Sequence, residues 1–239
     1  MKSEEFTCDE LKLFGLQLFQ PLHGYRYSLD PLLLASFCGV RDCGGNIIDL
    51  GAGCGIISLV LARINPSAAV MAVENNPDLA LLIDRNIHHN GLPERVSSVV
   101  EDVVNLRNAL PDSSFDLVVS NPPFRTAMSG KISPKAGRDT ARHESTATLT
   151  DFLAAAKFLV KPSGRICFIQ LPARLPEFMA IAAHLKLSIL RLRIIHNNAA
   201  SPATMFMAEL AKGRRSTPVV EPPLFVRDIN GEYTDEVWR

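Results

Sequence analysis

Three glycines in five residues, Gly51, Gly53 and Gly55, separate the apolar run Ile47-Ile48-Asp49-Leu50 from a longer apolar stretch that stops at Pro66. A run that short, closed by turn residues, reads as a buried strand, and the stretch ending before a proline reads as a helix over 55–65. Glycines at such a junction let the backbone turn tightly and come close to a ligand, beside the positive end of the helix dipole. A strand that passes directly into a helix has no hairpin partner, so the strand after the helix must lie parallel to it. That single junction commits the chain to an α/β architecture.

The following residues keep the rhythm. Strands are expected at 68–73, 96–100, 115–120 and 165–171, with helices at 77–90, 149–160 and 175–185 between them. Pro77 opens one of these helices and Gly91 follows its end, the usual asymmetry of helix termini. Two last strands, 187–195 and 204–210, are joined by a short loop and predict an antiparallel hairpin at or near an edge of the sheet. Ahead of the first parallel strand, residues 1–20 read as strand, a small hairpin, and Asp30-Pro31 opens a helix that ends before Gly39. The expectation is a mostly parallel seven-stranded sheet with helices on both faces. It divides into an N-terminal extension over 1–42, covering a ligand pocket, and a main domain over 43–239. The tail from Lys212 is expected on the surface.

Composition sets outer bounds. Of 239 residues, 47% are hydrophobic and 21% charged, enough apolar matter for a substantial core. Twenty-five Lys and Arg balance twenty-five Asp and Glu, so any nucleic-acid site must be a local patch. Five cysteines without a C-x-x-C pair predict reduced thiols. No apolar stretch resembles a signal peptide or reaches the about eighteen residues of a membrane span. The reading is a soluble cytoplasmic protein with no membrane partner and no metal. Neither charge nor pattern specifies an oligomeric state.

The strand at 115–120 runs into Asn121-Pro122-Pro123-Phe124. Two prolines end the ladder, since neither has an N–H to give it, and they stiffen the turn. The turn presents the Asn121 amide, the Pro122 carbonyl and the Phe124 ring. Two acceptors and a flat apolar face suit a planar molecule with an exocyclic NH2. Its two hydrogens are held, its ring stacks, and its nitrogen lone pair is freed toward an electrophile without a titrating base. A rigid turn without chemistry is the other use of such a sequence.

Asp49-Leu50-Gly51-Ala52-Gly53-Cys54-Gly55 departs from the dinucleotide fingerprint, whose third glycine falls at position 56, here Ile56. No Walker lysine follows. The acidic residue before the G-x-G-x-G pattern resembles the S-adenosylmethionine loop of class I methyltransferases. Glu74 closes the second strand, where such enzymes bind ribose hydroxyls. Asp102, just past the third, stands where they bind the adenine amino group. Asn75 and Val103 accompany these two acids. Glu74 also has a structural use as a helix cap, Asp102 as a turn residue, and the glycines in packing.

NPPF after the fourth strand resembles the amino-group branch of these enzymes. Gly24-Tyr25-Arg26-Tyr27-Ser28-Leu29-Asp30-Pro31 and Ala141-Arg142-His143-Glu144 narrow the resemblance to the bacterial tRNA(Val) adenine-N6-methyltransferase family, from about Gln20 to the Gly231-Glu232-Tyr233-Thr234 tail. That family implies a Rossmann-like class I fold and methyl transfer from S-adenosylmethionine to the N6 amine of the adenosine beside the tRNA anticodon. By the same resemblance Asn121 and Pro122 hold the amine and Phe124 stacks on the flipped base. Asp49, Gly51, Ala52, Gly53, Glu74, Asn75, Asp102, Val103 and Asn121 line the cofactor site. Ser28 and Asp30 contact the cofactor's amino-acid end.

The link 125–144 is long for a compact domain and carries Arg125, Lys131, Lys135, Arg138 and Arg142, with His143 beside them. Such a loop suits an RNA backbone, as does a smaller group, Lys212, Arg214 and Arg215. An ordinary solvated loop has the same composition. His88 and His89 lack metal-type partners in sequence and read as surface residues. Rival substrates are guanine N2 in ribosomal RNA, adenine N6 in DNA and glutamine N5 in protein. The glutamine enzymes typically show NPPY and a longer helical N-terminal domain, and DNA enzymes often add a target-recognition domain. A non-catalytic cofactor- or RNA-binding module on the same fold is the reading from another class. Ile56 argues against a nicotinamide oxidoreductase.

Overall fold

A computed structural model describes residues 6–22, 28–39, 45–123, 147–213 and 217–238. The parallel core comprises β3 (Asn46–Leu50), β4 (Ala69–Glu74), β5 (Val96–Val100), β6 (Phe115–Ser120) and β7 (Val160–Gln170). Between them run α2 (Ile56–Ile64), α3 (Pro77–His89), the short α4 (Leu106–Ala109) and α5 (Leu149–Leu159). The helix α1 (Asp30–Phe37) precedes them, and α6 (Leu175–His184) leads to the hairpin of β8 (Leu187–His196) and β9 (Ala203–Lys212). Two-residue strands β10 (Val219–Val220) and β11 (Leu224–Phe225) follow. The strand order is β10-β8-β9-β7-β6-β3-β4-β5, with β11 also paired to β8. β9 runs antiparallel to both β7 and β8, while β3 to β7 are parallel.

Alternation within the buried strands sorts side chains into two layers. Ile47, Leu117, Val119 and Ile169 pack with α1, α2 and α3. Ile48, Val118, Ile166 and Phe168 pack with α5 and α6. Seven of the nine residues of α2 are buried, so tertiary burial rather than a polar face holds it. The helix starts follow side-chain chemistry. Asn76 accepts from the amides of Asp78 and Leu79 with Pro77 in the first turn, and Thr148 and Asp151 form a reciprocal capping box on α5.

The N-terminal residues form the expected hairpin, β1 (Phe6–Leu11) and β2 (Leu16–Pro21), as a separate two-stranded sheet. One side chain fastens it. Asn86, fully buried on α3, donates to the carbonyls of Phe19 and Cys54 and accepts from the Phe19 amide at 2.7 Å. Replacing it removes the partner of the buried Cys54 carbonyl, at a cost on the order of 1–3 kcal/mol, and of two part-buried groups of Phe19.

Two expectations need correction. The fifth parallel strand begins at Val160 rather than Arg165, because Val160 already pairs with Phe115 before an irregular excursion restores pairing at Leu117↔Arg165. Gly164 makes the excursion feasible: a Cβ there would lie 2.9 Å from the Asp116 carbonyl oxygen. The tail is not a surface segment throughout. β10 and β11 extend the sheet in parallel on β8, and Leu224 and Val237 are buried. Among the described residues no helix is long and apolar enough to cross a membrane.

Candidate active site

The glycine turn is pinned from the neighbouring strand. The amides of Gly51 and Ala52 both donate to the Val73 carbonyl at 2.9 Å, so the turn rests on the end of β4. Gly51 and Gly55 adopt φ of +74° and +85°, which only glycine enters without strain. A Cβ at Gly55 would also press on Ile83 at 3.2 Å, and one at Gly51 on the Phe152 ring at 3.2 Å.

Two buried carboxylates face this turn. Glu74, 7% exposed, accepts from the Gly53 amide at 2.8 Å with one oxygen and from the Asn76 amide at 3.0 Å with the other. Burial raises its pKa, and the amides of Asn76, Gly53 and half-buried Asn75 work against that rise. Asp49 is fully buried, and one of its oxygens accepts from Ser58 Oγ at 2.8 Å. Burial pushes its carboxyl up to about 7, with the Ser58 bond opposing and the charge of Glu74 adding to the rise. Asp102 caps the 3-10 turn Val103–Asn105 by accepting from the Val104 amide at 3.1 Å, and Val103 is buried beneath it. The capping use of Asp102 is therefore realised, with one oxygen left over. Glu74 likewise serves the turn and the start of α3.

β6 ends beside this assembly. Ser120, fully buried, donates its Oγ to the Leu50 carbonyl at 2.8 Å and so locks the ends of β6 and β3 together. Asn121 is half-buried and Pro122 buried. Three buried side-chain atoms among the described residues have no hydrogen-bond partner: Asp49 Oδ1, Asn121 Oδ1 and Gln170 Nε2. They stand at the carboxyl ends of β3, β6 and β7, which are consecutive in the sheet. A buried polar group without a partner costs about 1–3 kcal/mol. Three on one edge, where open α/β sheets bind ligands, mark it as built for something else to complete.

The edge therefore brings together Asp49, Gly51, Ala52, Gly53, Glu74 and Asn75. Asp102 and Val103 stand one strand further on, tied in by the Glu101 amide donating to the Glu74 carbonyl. Ser28 and Asp30 are bonded to each other at 2.7 Å and line a different cavity, formed with the end of β8, the start of β9 and the tail. Phe124, Arg125, Lys131, Lys135, Arg138, Arg142 and His143 lie outside the described residues, as do Arg214 and Arg215. Lys212 stands at the opposite edge of the sheet, because β9 runs antiparallel, and its ammonium is spent on Ser113 Oγ and the Lys157 carbonyl. His88 and His89 are exposed, and His89 bonds the hairpin's Gln17. Among the described residues no cluster of three metal-ligating side chains occurs. Ser120, Asn86 and Gln170 were not legible as site residues. Ser120 and Gln170 leave only the trace of a polar residue closing an apolar strand, and Asn86 is one polar residue in a helix.

A pinned glycine turn, acids at the ends of successive strands and an Asn-Pro-Pro turn on one carboxyl edge define a Rossmann-like methyltransferase. Residues 31–185 match the methyltransferase small domain family. The tRNA1(Val) (adenine(37)-N6)-methyltransferase of Porphyromonas gingivalis W83 is 33% identical over 173 residues, 70% of this chain and 67% of that protein. The protein of the same name from Aliivibrio fischeri ES114 is 28% identical over 214 residues, 89% of this chain and 87% of that one. The chain belongs to the methyltransferase small domain family and, with these relatives, to the tRNA1(Val) (adenine(37)-N6)-methyltransferase family.

Among solved structures, a predicted O-methyltransferase, Atu636 from Agrobacterium tumefaciens, shares the fold at a TM-score of 0.72 and 22% identity, over 87% of this chain and 93% of that one. Trm5 of Methanocaldococcus jannaschii, solved with adenosine, shares it at 0.62 and 16% identity, over 90% of this chain and 57% of that one.

Proposed function

We propose that the enzyme methylates the exocyclic N6 amine of an adenosine in tRNA with S-adenosylmethionine as methyl donor, the relatives' names pointing to adenosine 37 of a valine tRNA. The observation that carries this reading is Asn121 Oδ1, a buried acceptor with no partner among the described residues, on a proline-stiffened turn locked by Ser120.

The residues of the neighbouring edge fit the cofactor. It presents an ammonium group, two ribose hydroxyls and an adenine amine, all donors, and the edge offers acceptors: the partnerless Asp49 Oδ1, Glu74 and the free oxygen of Asp102. Gly51, Ala52 and Gly53 provide a backbone turn at that edge, flanked by Asn75 and Val103. Ser28 stands just ahead of α1 and Asp30 opens it, and the two are read as part of the pocket's cover. The cofactor supplies an electrophilic methyl group that needs no further activation.

The chain's own part is placement. Asn121 Oδ1 accepts one hydrogen of the target amine and the Pro122 carbonyl accepts the other. With both hydrogens held, the nitrogen lone pair is withdrawn from the ring and fixed in direction. Phe124 is assigned the stacking face by the family pattern. No general base is required at the moment of transfer, and the extra proton leaves the product amine afterwards. The long basic link with Arg125, Lys131, Lys135, Arg138, Arg142 and His143 is read as the contact to the RNA backbone. Work on tRNA implies a cytoplasmic enzyme.

The test is transfer of tritiated methyl to total tRNA from a strain lacking the enzyme, followed by mass spectrometry of the nucleosides. N6-methyladenosine in tRNA is expected. Label in ribosomal RNA, DNA or protein with none in tRNA overturns the substrate and leaves the methyltransferase assignment standing.

A further inference from the structure

The cavity lined by Ser28 and Asp30 has a volume of about 290 Å³ and none of the glycine turn, Glu74 or Asn121 in its wall. Its floor is apolar, from Leu33 and Ile195, and its rim carries Asn197, Thr204, Arg227 and Tyr233. We infer that this cavity is a second base pocket, which seats an unstacked nucleobase of the RNA substrate next to the target adenosine. The inference rests on the RNA reading above and adds to it a specific place for a neighbouring nucleotide.

The rim is built, not incidental. Arg227 and Tyr233 face each other across an antiparallel bridge, and the guanidinium lies 4.4 Å from the centre of the Tyr233 ring. Arg227 also donates to the Gly231 carbonyl at 2.6 Å, and Asp228 Oδ1 accepts from the amides of Asn230 and Glu232, closing the turn between them. The backbone amide of Arg227 donates to the Asn197 carbonyl at 2.8 Å, and Thr234 Oγ1 donates to the Phe225 carbonyl at 2.7 Å. These bonds hold the aromatic platform against the end of β8. No described carboxylate pairs with the Arg227 guanidinium, and no described residue bonds the Asn197 side-chain amide. One oxygen of Asp30 is taken by Ser28, and the residue lines the cavity.

That inventory fits a flat ligand with donors and acceptors on its rim. A ring backed by a cation stacks on bases of any sequence, as in single-stranded nucleic-acid sites. The Asn197 amide and the Asp30 carboxylate read a base edge. Asp30 disfavours a phosphate inside the cavity, while Arg227 on the rim attracts one.

Position links the pocket to the reaction. Ser120 of β6 pairs with Phe168 of β7, and Gln170 of β7 pairs with Phe206, two residues past Thr204. Asn121 and Thr204 thus flank β7 on the same carboxyl edge, two strand spacings apart across the sheet and three residues offset along it, about 14 Å in all. Leu33 and Ile195 belong to the layer of α1 and α2, the side to which alternation from Leu117 and Val119 carries Asn121. Two adjacent nucleotides, both splayed out of their stack, bridge such a gap.

The experiment is a coupling measurement on the whole enzyme. A synthetic RNA hairpin carrying the methylated adenosine is titrated by fluorescence anisotropy in the presence of S-adenosylhomocysteine, with each nucleotide around the target replaced in turn by an abasic one. One neighbouring abasic substitution is expected to weaken binding to wild type about tenfold, and Tyr233→Ala to weaken binding of the intact hairpin about as much. Combined, the two should cost little more than either alone, and Tyr233→Phe should restore affinity. Since Tyr233→Ala also removes a bridge in the tail, Thr204→Phe gives a second route: it fills the cavity from β9 and should reproduce the loss. Additive losses at every position, or unchanged affinity in both Tyr233→Ala and Thr204→Phe, overturn the second pocket while methyl transfer to RNA still stands. Wild type that neither binds nor methylates RNA overturns both readings and is told apart by that double failure.

Discussion

The carboxyl edge of the sheet has two flanks, on either side of β6 and β7, and they are held together by different means. The β3–β4–β5 flank is a backbone structure. Amides of the glycine turn are fixed to the Val73 carbonyl and to Glu74, and among the described residues no cation takes part. The β8–β9 flank is a side-chain structure. Arg191 donates to Glu209 at 2.6 Å, to Glu221 at 2.7 Å and to the Phe37 carbonyl at 2.7 Å, joining two strands, the tail and the end of α1 through one guanidinium. Arg193 reaches Glu236 as well. A backbone turn gives a fixed floor for a ligand that is the same at every turnover. A network of long side chains holds a tail in place, next to a pocket assigned to a variable macromolecule.

The two flanks can be broken separately. The largest effect is expected from Arg191→Ala, which strands Glu209 at 8% side-chain exposure with Arg165 at 3.5 Å as its one remaining cation among the described residues. A cost of about 3 kcal/mol is expected, at the low end for breaking a buried pair because Arg191 itself is partly exposed. Thermal unfolding should register it, while cofactor affinity stays within about twofold and RNA affinity falls. Gly55→Ala strikes the other flank. Left-handed φ and the contact with Ile83 should cost about 1–2 kcal/mol and weaken cofactor binding in calorimetry, with RNA affinity the less affected.

A smaller effect follows from Asp49. Its carboxyl holds a proton more tightly in the folded protein than unfolded, so its contribution to stability is complete below the ordinary carboxylate range. That contribution is lost as pH rises through about 7. A cationic cofactor prefers the ionised form, so its affinity should rise several-fold between about pH 6 and about pH 8, and Asp49→Asn should flatten that slope. Smallest is Gln170→Leu. It removes a donor with no partner and one bond to the Leu171 amide, so stability should change by less than about 1 kcal/mol. A marked fall in methyl transfer without a fall in melting temperature would place Gln170 in contact with substrate.

The same contrast explains what was legible in the sequence. The β3–β4–β5 flank is made of local signals, with a short apolar run, glycines, a capped helix and an acid at a strand end, so Asp49, Gly51, Gly53 and Glu74 fall where the pattern puts them. Asn121 and Pro122 were legible because two prolines can only end a strand. The other flank depends on pairings between distant residues. β10 and β11 are two residues each, and only their register against Arg191–Leu192 and Ile195–His196 makes them strands. Lys212 looked like part of a basic patch, but strand direction carries it to the opposite edge. Ser28 and Asp30 read as cofactor contacts from the family pattern alone, and their place beside the tail, in the wall of the cavity there, rests on distant pairings that no local signal announces. Asn86 binds two segments far apart in the chain, which no local pattern announces.

The central claim is that Asn121 acts chiefly by holding the target amine and adds little to the hold on the cofactor it adjoins. Asn121→Ala tests it by pairing cofactor titration calorimetry with single-turnover methyl transfer to tRNA. Cofactor affinity within a few-fold of wild type, with transfer slowed by about a hundredfold or more, is the predicted result. Transfer at the wild-type rate, or a loss explained wholly by weakened cofactor binding, would contradict it.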